Sequence, residues 1–587
     1  MPNHGIALQN RFLGRGETLY DRLAARFEAG GGLAEDDLRA LAGETGLPPA
    51  LVRSVAAFYE DFRRKPEDPR ISVCNGEACA VAGAGCLRTE IEDELGERPG
   101  TVTCLGLCAQ APAVRCGDRV LSLAGAEDRR KFREALRSGA EPEGREPKLP
   151  FFRARDPRHD RLLANFDRRM TDLETARAAG AFEGLRSALK RGREETLREI
   201  EISGLRGRGG AGFPCGRKLR TVAEAPARDG RRVLVCNADE GDAGAYIDKA
   251  LCERDPFAVL EGMALAAYAA GAEEGFLYLR AEYPRAARIL ARAIEDAERA
   301  GFLGEGAFGE EGGFQVRLVK GHGAYICGEE TSLLRSLEGL PAQVTPKPPY
   351  PAVEGYRGRP TAVQNVETLA NLPPILREGG RAFAALGRGR SRGTKLVSLN
   401  EAVARPGLYE VEMGITLRDL IFDLAGGMAE GKEFLAVQVG GPLGGIFPAA
   451  LLDTPLTFED MEDAGGLLGH AGVVVYPEGI DLVAIGRGLM AFCAVESCGK
   501  CFPCRLGSVR GVELFDRILG GKGSQRELDL LSELSETMRF GSLCALGGGI
   551  PTPISNLLEF FPEAFRAHVP GARTPERVLE TLKEDSL

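Results

Sequence analysis

Apolar positions change their spacing several times along the chain, and each change predicts a different kind of element. Residues 34–62 read as two short amphipathic helices, AEDDLRALA and ALVRSVAAFYEDF, parted by a turn at Thr45–Pro49. Leu51, Val55 and Phe58 fall at i, i+4 and i+7 and give the second helix a buried stripe. Pro69 precedes a strand, RISV, that ends on Cys74. Further on, helix and strand patterns alternate: a helix over 183–202, strand RVLVC, helix PFAVLEGMALAAYAA, strand FLYLR, helix RAARILARAIEDAERA, strand FQVRLV. That alternation predicts an α/β layer with a largely parallel sheet. After Ser391, short strands (KLVSLN, FLAVQV, GVVVYP) surround one helix, TLRDLIFDLAG, as in a small α+β domain. From about Ile485 onward the pattern is helical.

Composition adds bounds. A chain of 587 residues is too long for one core, and roughly 150 residues per domain suggests about three to five domains. The stretch SGAEPEGREPKLPFFRARDPR is rich in Pro, Gly and charge and reads as a linker. We therefore place boundaries at 1–140, a linker at 141–175, then 176–390, 391–484 and 485–587. Hydrophobic residues at 44% and charged residues at 27% exclude a largely disordered chain. The net charge of −10 argues against nucleic acid or an anionic membrane as partner. The polar start, MPNHGIALQNRFLGRGE, lacks an apolar signal region, and no membrane-length apolar run follows; the most apolar stretch, near Met263–Ala270, is short. A cytoplasmic location is expected, where thiols stay reduced and clustered cysteines mean metal or redox chemistry.

The 15 cysteines sort into two clusters and a scatter. Near the C-terminus, ESCGKCFPC places Cys498, Cys501 and Cys504 two residues apart, with Cys544 distant in GSLCALG. Three closely spaced thiols can reach three corners of a [4Fe–4S] cubane and a remote one the fourth; structural zinc, the rival, prefers paired knuckles. Near the N-terminus, Cys74 with Cys79 and Cys104 with Cys108 form two unequal short pairs, which suits a rhombic [2Fe–2S] cluster with one iron per pair. Cys86 and Cys116 could each take a ligand's place. Cys252 and Cys493 read as buried fillers.

Between the clusters lies GLRGRGGAGFPCGRK, with glycines at 204, 207, 209, 210, 212 and 216. It contains a formal G-x-G-x-x-G, but it follows a helix where a dinucleotide fingerprint should follow a strand. Its glycines still let backbone N–H groups approach a phosphate or flavin, and Arg206, Arg208 and Lys218 add positive charge. VCNADEGDAG places Asn237, Asp239, Glu240 and Asp242 at a strand end, and GHGAYICGEET places Glu329 and Glu330 before a helix. Such carboxylates can accept ribose hydroxyls, or merely cap helices.

Taken together, GLRGRGGAGFP, VCNADEG, GAYICGEET, KPPYPAVEG, NVETLAN and ESCGKC-x2-C resemble the NADH-binding flavoprotein subunit of respiratory complex I and its relatives. The N-terminal residues resemble the thioredoxin-like [2Fe–2S] partner of the same family, here fused. The resemblance implies an α/β multidomain chain: a thioredoxin-like domain, an α/β FMN- and NAD-binding domain, a β-grasp (ubiquitin-like) domain and a C-terminal helical bundle with the cubane. It implies FMN, NAD(H), both clusters and a diaphorase activity, in which hydride passes between nicotinamide and flavin and electrons pass singly to the cubane. Carried over by motif, Gly207, Arg208, Gly209, Gly210, Lys218, Asn237, Asp239, Glu240, Tyr325, Gly328, Glu329 and Asn365 would line FMN. Phe213 would stack near nicotinamide or adenine, with Asp242, Glu330 and Lys347 around NAD(H). No side chain need handle the hydride, and Glu329 and Glu330 would tune the flavin. Cys215, Leu219, Thr221 and Gln364 depart from the family pattern. The fusion, with RAFAALGRGRSRGT and VQVGGPLGGIFPAALLDTPLTFED, looks most like the β subunit of soluble NAD-linked formate dehydrogenases; diaphorase subunits of NAD-reducing hydrogenases and complex I-type dehydrogenases are alternatives. The partner implied is a molybdenum- or tungsten-pterin α subunit with iron–sulfur clusters, possibly with a further small subunit. A redox-inactive assembly module would lack cluster cysteines, and all eight are present.

Overall fold

The computed structural model describes residues 18–65, 71–142, 147–154 and 156–573. The polar start of the chain, Pro69 and the last fourteen residues of the C-terminal domain lie outside them. A four-stranded sheet organises the N-terminal layer: β1 (Ile71–Cys74), β2 (Gly100–Val102), β3 (Ala113–Cys116) and β4 (Arg119–Ser122), in the order β2-β1-β3-β4. β1 and β2 run parallel, and the rest antiparallel. Helices Ala84–Leu95 and Ala126–Ser138 cover it, as a thioredoxin-like layer requires. The predicted linker does more than connect. Its Phe151–Phe152, β5, pairs in parallel with a strand of the third domain.

The central domain is built on β6 (Val233–Ala238), β7 (Glu274–Arg280), β8 (Gln315–Gly321) and β9 (Thr361–Asn365), all parallel, in the order β8-β7-β6-β9. Helix Pro256–Ala270 is apolar all round and almost wholly buried, so it belongs to the core and not to a surface stripe. Among the described residues no helix is long and apolar enough to cross a membrane. The helix expected over 183–202 is two, Glu183–Arg191 and Arg193–Ile202, because Gly192 at φ 84° breaks the turn. β9, TAVQN, is a strand that periodicity did not single out.

The N-terminal helices Leu19–Gly30, Glu35–Thr45 and Pro49–Ala56 take their core from the central sheet. Leu23, Val52, Val55 and Tyr59 pack with Val233, Val235, Tyr278 and Val319. Tyr20 Oη donates to the Lys320 carbonyl at 2.6 Å and Tyr59 Oη to that of Leu340 at 2.9 Å.

A hairpin Gly387–Arg388/Ser391–Arg392 (β10, β11) leads into the third domain: β12 (Thr394–Leu399), β13 (Gly407–Glu412), β14 (Phe434–Val439), β15 (Gly445–Phe447) and β16 (Gly472–Pro477). The order β15-β14-β16-β12-β13, with β16 parallel to β12, is that of a β-grasp, and β5 extends its edge. The helix expected at TLRDLIFDLAG is a π-helical turn, Asp419–Leu424. Helices Leu482–Glu496, Phe502–Arg517, Gln525–Gly541 and Pro551–Phe560 complete the C-terminal bundle.

Candidate functional site

Strands β6, β8 and β9 end on one edge of the parallel sheet, where such folds hold ligands. Asn237 and Asp239 leave β6, Tyr325 and Glu329 follow β8, and Asn365 closes β9. The glycine loop lies over this edge. Gly207 N donates to the Phe213 carbonyl at 2.8 Å and Cys215 N to that of Leu205 at 2.8 Å, which closes the loop before helix Cys215–Glu224. Gly210 at φ 117° can only be glycine without strain, and a Cβ at Gly209 would sit 3.0 Å from that of Asn365.

Two of the three basic side chains turn away. Arg208 is fully buried and donates from Nη2 to the carbonyls of Arg392 and Thr394 at 2.6 and 2.9 Å; burial pulls its guanidinium down to about 10. Arg206 pairs with Glu459 at 2.5 Å and stacks on Phe458. Both thus hold the β-grasp domain against the loop, and Lys218 is the basic side chain of the three that stays at the strand ends. Lys218 Nζ donates to the Val363 carbonyl at 3.1 Å and lies 3.5 Å from Glu330.

Two predicted ligand carboxylates act as helix caps. Glu240 accepts from Asp248 N and Lys249 N, each at 3.0 Å, at the start of helix Ile247–Arg254. Glu329 accepts from Thr331 N and Ser332 N at 2.8 and 3.0 Å. Lys347 Nζ reaches Glu329 at 3.0 Å and Glu330 at 3.1 Å, so both charges expected to act on a flavin are offset by lysine. Burial opposes the charge of Glu330, but Lys218 and Lys347 hold its carboxyl below the ordinary range. Asn237 Nδ2 donates to the Gly328 carbonyl at 2.8 Å, and Tyr325 Oη to Asp242 Oδ1 at 2.6 Å. Phe213 is 44% exposed beside Arg217 and Lys218, a ring free to stack.

FMN fits these residues. Asp239 Oδ2 is buried beside Gly328 without a hydrogen-bond partner, and the glycines leave backbone N–H groups approachable. Burial pushes this carboxyl well above the usual carboxylate range, and its Oδ2 is left free to share a hydrogen bond with a bound group.

The N-terminal thiols are brought together. Cys104 and Cys108 Sγ are 3.6 Å apart, Cys74 contacts both Cys79 and Cys104, and all four are buried. Hydrogen bonds from Cys108 and Cys74 push the Cys104 thiol well down, with Arg280 adding to this, and the same bonds push the Cys74 and Cys108 thiols well up. Cys86 is exposed on a helix, and Cys116 sits at the opposite end of β1, paired with Ile71; burial pushes its thiol up to about 12.

At the C-terminus Cys504 contacts Cys501, and Cys544 lies within electrostatic reach of Cys498 and Glu329. Cys493, expected as filler, packs against Cys504. Tetrahedral zinc with bonds of about 2.3 Å needs sulfurs about 3.8 Å apart. Among the described residues no three thiols lie within 4.8 Å of one another.

Both quartets adjoin the flavin edge. Glu496 Oε2 accepts from Tyr325 N at 2.9 Å, and Phe492 packs edge-on to the Tyr325 ring at 4.8 Å. On the other side Arg280, at the end of β7, donates to the carbonyls of Cys104, Thr103 and Glu240 at 3.1, 2.7 and 2.6 Å, while Lys249 Nζ reaches Leu105 O at 3.0 Å. Sequence reasoning missed Arg280, Lys249, Glu496 and His470. A charge closing an apolar strand, FLYLR, and one of only five histidines were the available signals.

Three family models match: Nuo51 FMN-binding domain over 200–374, the NADH-ubiquinone oxidoreductase-F iron–sulfur binding region over 484–568, and thioredoxin-like [2Fe–2S] ferredoxin over 15–137. The chain is 44% identical to NADP-reducing hydrogenase subunit HndC of Solidesulfovibrio fructosivorans, over 69% of this chain and 82% of that one. It is 38% identical to the mitochondrial 51 kDa NADH-ubiquinone oxidoreductase subunit of Neurospora crassa, over 79% and 94%. It is also 38% identical to the mitochondrial NADH dehydrogenase [ubiquinone] flavoprotein 1 of Dictyostelium discoideum, over 68% and 85%. A crystal structure of an NAD+-reducing [NiFe]-hydrogenase superimposes with a TM-score of 0.82 at 31% identity, covering 94% of each chain.

Proposed function

Because the chain belongs to the family of complex I NADH-binding flavoprotein subunits, with a fused thioredoxin-like [2Fe–2S] domain, we propose that it is the diaphorase subunit of a soluble NAD-linked formate dehydrogenase complex. The observation that carries the diaphorase reading is the hydrogen bond from Tyr325 N, at the strand ends, to Glu496, which ends the helix leading into the Cys498 loop. When bound, FMN supplies the conversion between two-electron hydride chemistry and one-electron transfer to iron–sulfur centres. The chain's own residues place and insulate it. Lys218 would offer a cation to the phosphate, Asp239 Oδ2 would bond a hydroxyl, and the loop N–H groups would line the approach. Phe213 offers a face to NAD(H), with Asp242, Glu330 and Lys347 nearby. Cys498, Cys501, Cys504 and Cys544 would hold the cubane; Cys74, Cys79, Cys104 and Cys108 the [2Fe–2S] cluster.

The formate assignment rests on the fusion and on the segments at 381–394 and 437–460, with formate chemistry in a metal-pterin partner. A hydrogen-linked reading is favoured instead by the end-to-end match to the hydrogenase structure. The chain is first purified and its visible spectrum, iron content and NADH-dependent reduction of an artificial acceptor recorded; a colourless, iron-free, inactive protein after anaerobic reconstitution would sink the diaphorase reading. Co-purified partners and NAD+ reduction by formate or by hydrogen then separate the two complexes.

A further inference from the structure

His470 lies on the loop between helix Phe458–Asp463 and β16, and its neighbour Gly469 bridges to Gly210 of the glycine loop. Its imidazole is 4% exposed. Nε2 lies 3.2 Å from Asp248 Oδ2 and Nδ1 3.6 Å from Glu240 Oε1. Asp248 Oδ2 also accepts from Asn365 Nδ2 at 2.6 Å, and that amide nitrogen is 3.5 Å from His470 Nε2. Asn365 in turn packs directly beneath Gly209.

One protein-derived group of metal-ligating side chains stands out among the described residues, and it is this one: Glu240, Asp248 and His470 converge within 4.8 Å. A proton explains it better than a cation. Both Glu240 oxygens are occupied by backbone N–H groups, and Tyr283 Oη donates a further bond at 3.1 Å. Burial opposes charge on the imidazole, but Asp248 and then Glu240 outweigh it and push it up to about 9, with Lys395 opposing. Lys395 is itself paired with Glu367.

We infer that His470 is a positioning residue for the flavin: the β-grasp domain inserts it as a cation between Asp248 and Glu240, where it fixes the Asn365 amide beneath the glycine loop and adds a positive charge to the wall of the flavin site. The inference rests on the flavin reading above. Reduction by two electrons and one proton adds one negative charge to the ring, and a buried cation nearby favours that state.

The test uses the reconstituted holoprotein and His470→Gln, which keeps a donor toward Asp248 but no charge. FMN content is measured first, then the flavin midpoint potential by spectroelectrochemical titration at pH 7. The variant should retain FMN while its ratio of reduced to oxidised flavin at a fixed potential falls about tenfold, about 30 mV for a two-electron couple. An unchanged potential with FMN in place overturns the inference alone. Wild-type protein that binds no FMN overturns the flavin reading instead. Should the variant not fold, NMR of histidine-labelled wild type at pH 8 still decides: an imidazolium supports the inference and a neutral ring overturns it. A stoichiometric divalent metal in the wild type, absent from His470→Gln, would replace it with a metal site.

Discussion

Cys74, Cys79, Cys104 and Cys108 are at most 2% exposed, whereas Cys498, Cys501 and Cys544 are half-buried and open onto a surface carrying Phe502, Leu506, Phe540 and Leu543. The first quartet is sealed from behind by two buried cations, Arg280 and Lys249, which donate to the carbonyls of its own loop. The second has Arg505 beside it, exposed and stacked on the exposed ring of Phe502. Both adjoin the strand-end site through neighbouring side chains, yet only the second is partly exposed to solvent. A centre closed on every side can exchange electrons within the chain; a centre under an apolar rim is placed to exchange them with another protein.

The contrast can be broken most severely at the ligands. Cys544→Ser should abolish the cubane's spectroscopic signal and its share of the iron while leaving the [2Fe–2S] signal intact, checked by EPR of the reduced protein. Retention of both signals would disconnect Cys544 from the open site. Next in size is the pair of arginines. Arg280→Met leaves Glu282 and three carbonyls without their buried partner and should cost about 3–5 kcal/mol in denaturant unfolding, with loss of the [2Fe–2S] signal. Arg505→Met should change stability by no more than about 0.5 kcal/mol.

A pH titration probes the ground between the quartets. The imidazole of His470 has its pKa raised in the folded chain, so its contribution is complete below the unfolded value of about 6.5 and is lost as pH rises through about 9. Asp248, Glu240 and Lys395 face it, and Asp242 lies within its field. Relative to His470→Gln, the wild type should lose on the order of 3 kcal/mol of unfolding free energy from pH 6 to pH 10, the Glu240 carboxyl beside it being itself pushed up to about 7 by burial and Asp248. The smallest effect sharpens the idea of an open rim. Phe540→Ser with Leu543→Ser should leave stability within about 0.5 kcal/mol and weaken recovery of any co-purifying redox partner. A variant that retains its partner in full removes the rim as a docking surface.

Much of the architecture was legible because local spacing reports it. The parallel sheet, the cysteine spacings and the helical C-terminus each follow from periodicity or from thiol chemistry. What stayed hidden was the choice of partner. Arg206 and Arg208 read as loop cations, and nothing local shows that they turn toward the β-grasp domain. Glu240 and Glu329 read equally as ligands or caps, and only the fold shows that both cap a helix. β5 was invisible inside a Pro- and Gly-rich linker because its pairing strand lies far along the chain. His470 carried no motif at all; its meaning comes from two carboxylates on another domain.

The first helices cover a sheet made much later. Tyr20 bonds to Lys320 across 300 residues, and Phe151 waits for Leu408. At about 5–20 residues per second on the ribosome, those early apolar faces remain uncovered for roughly 15–60 s. The fusion therefore ties the order of synthesis to the final form: apolar faces made early find their native cover only when much later strands have been made.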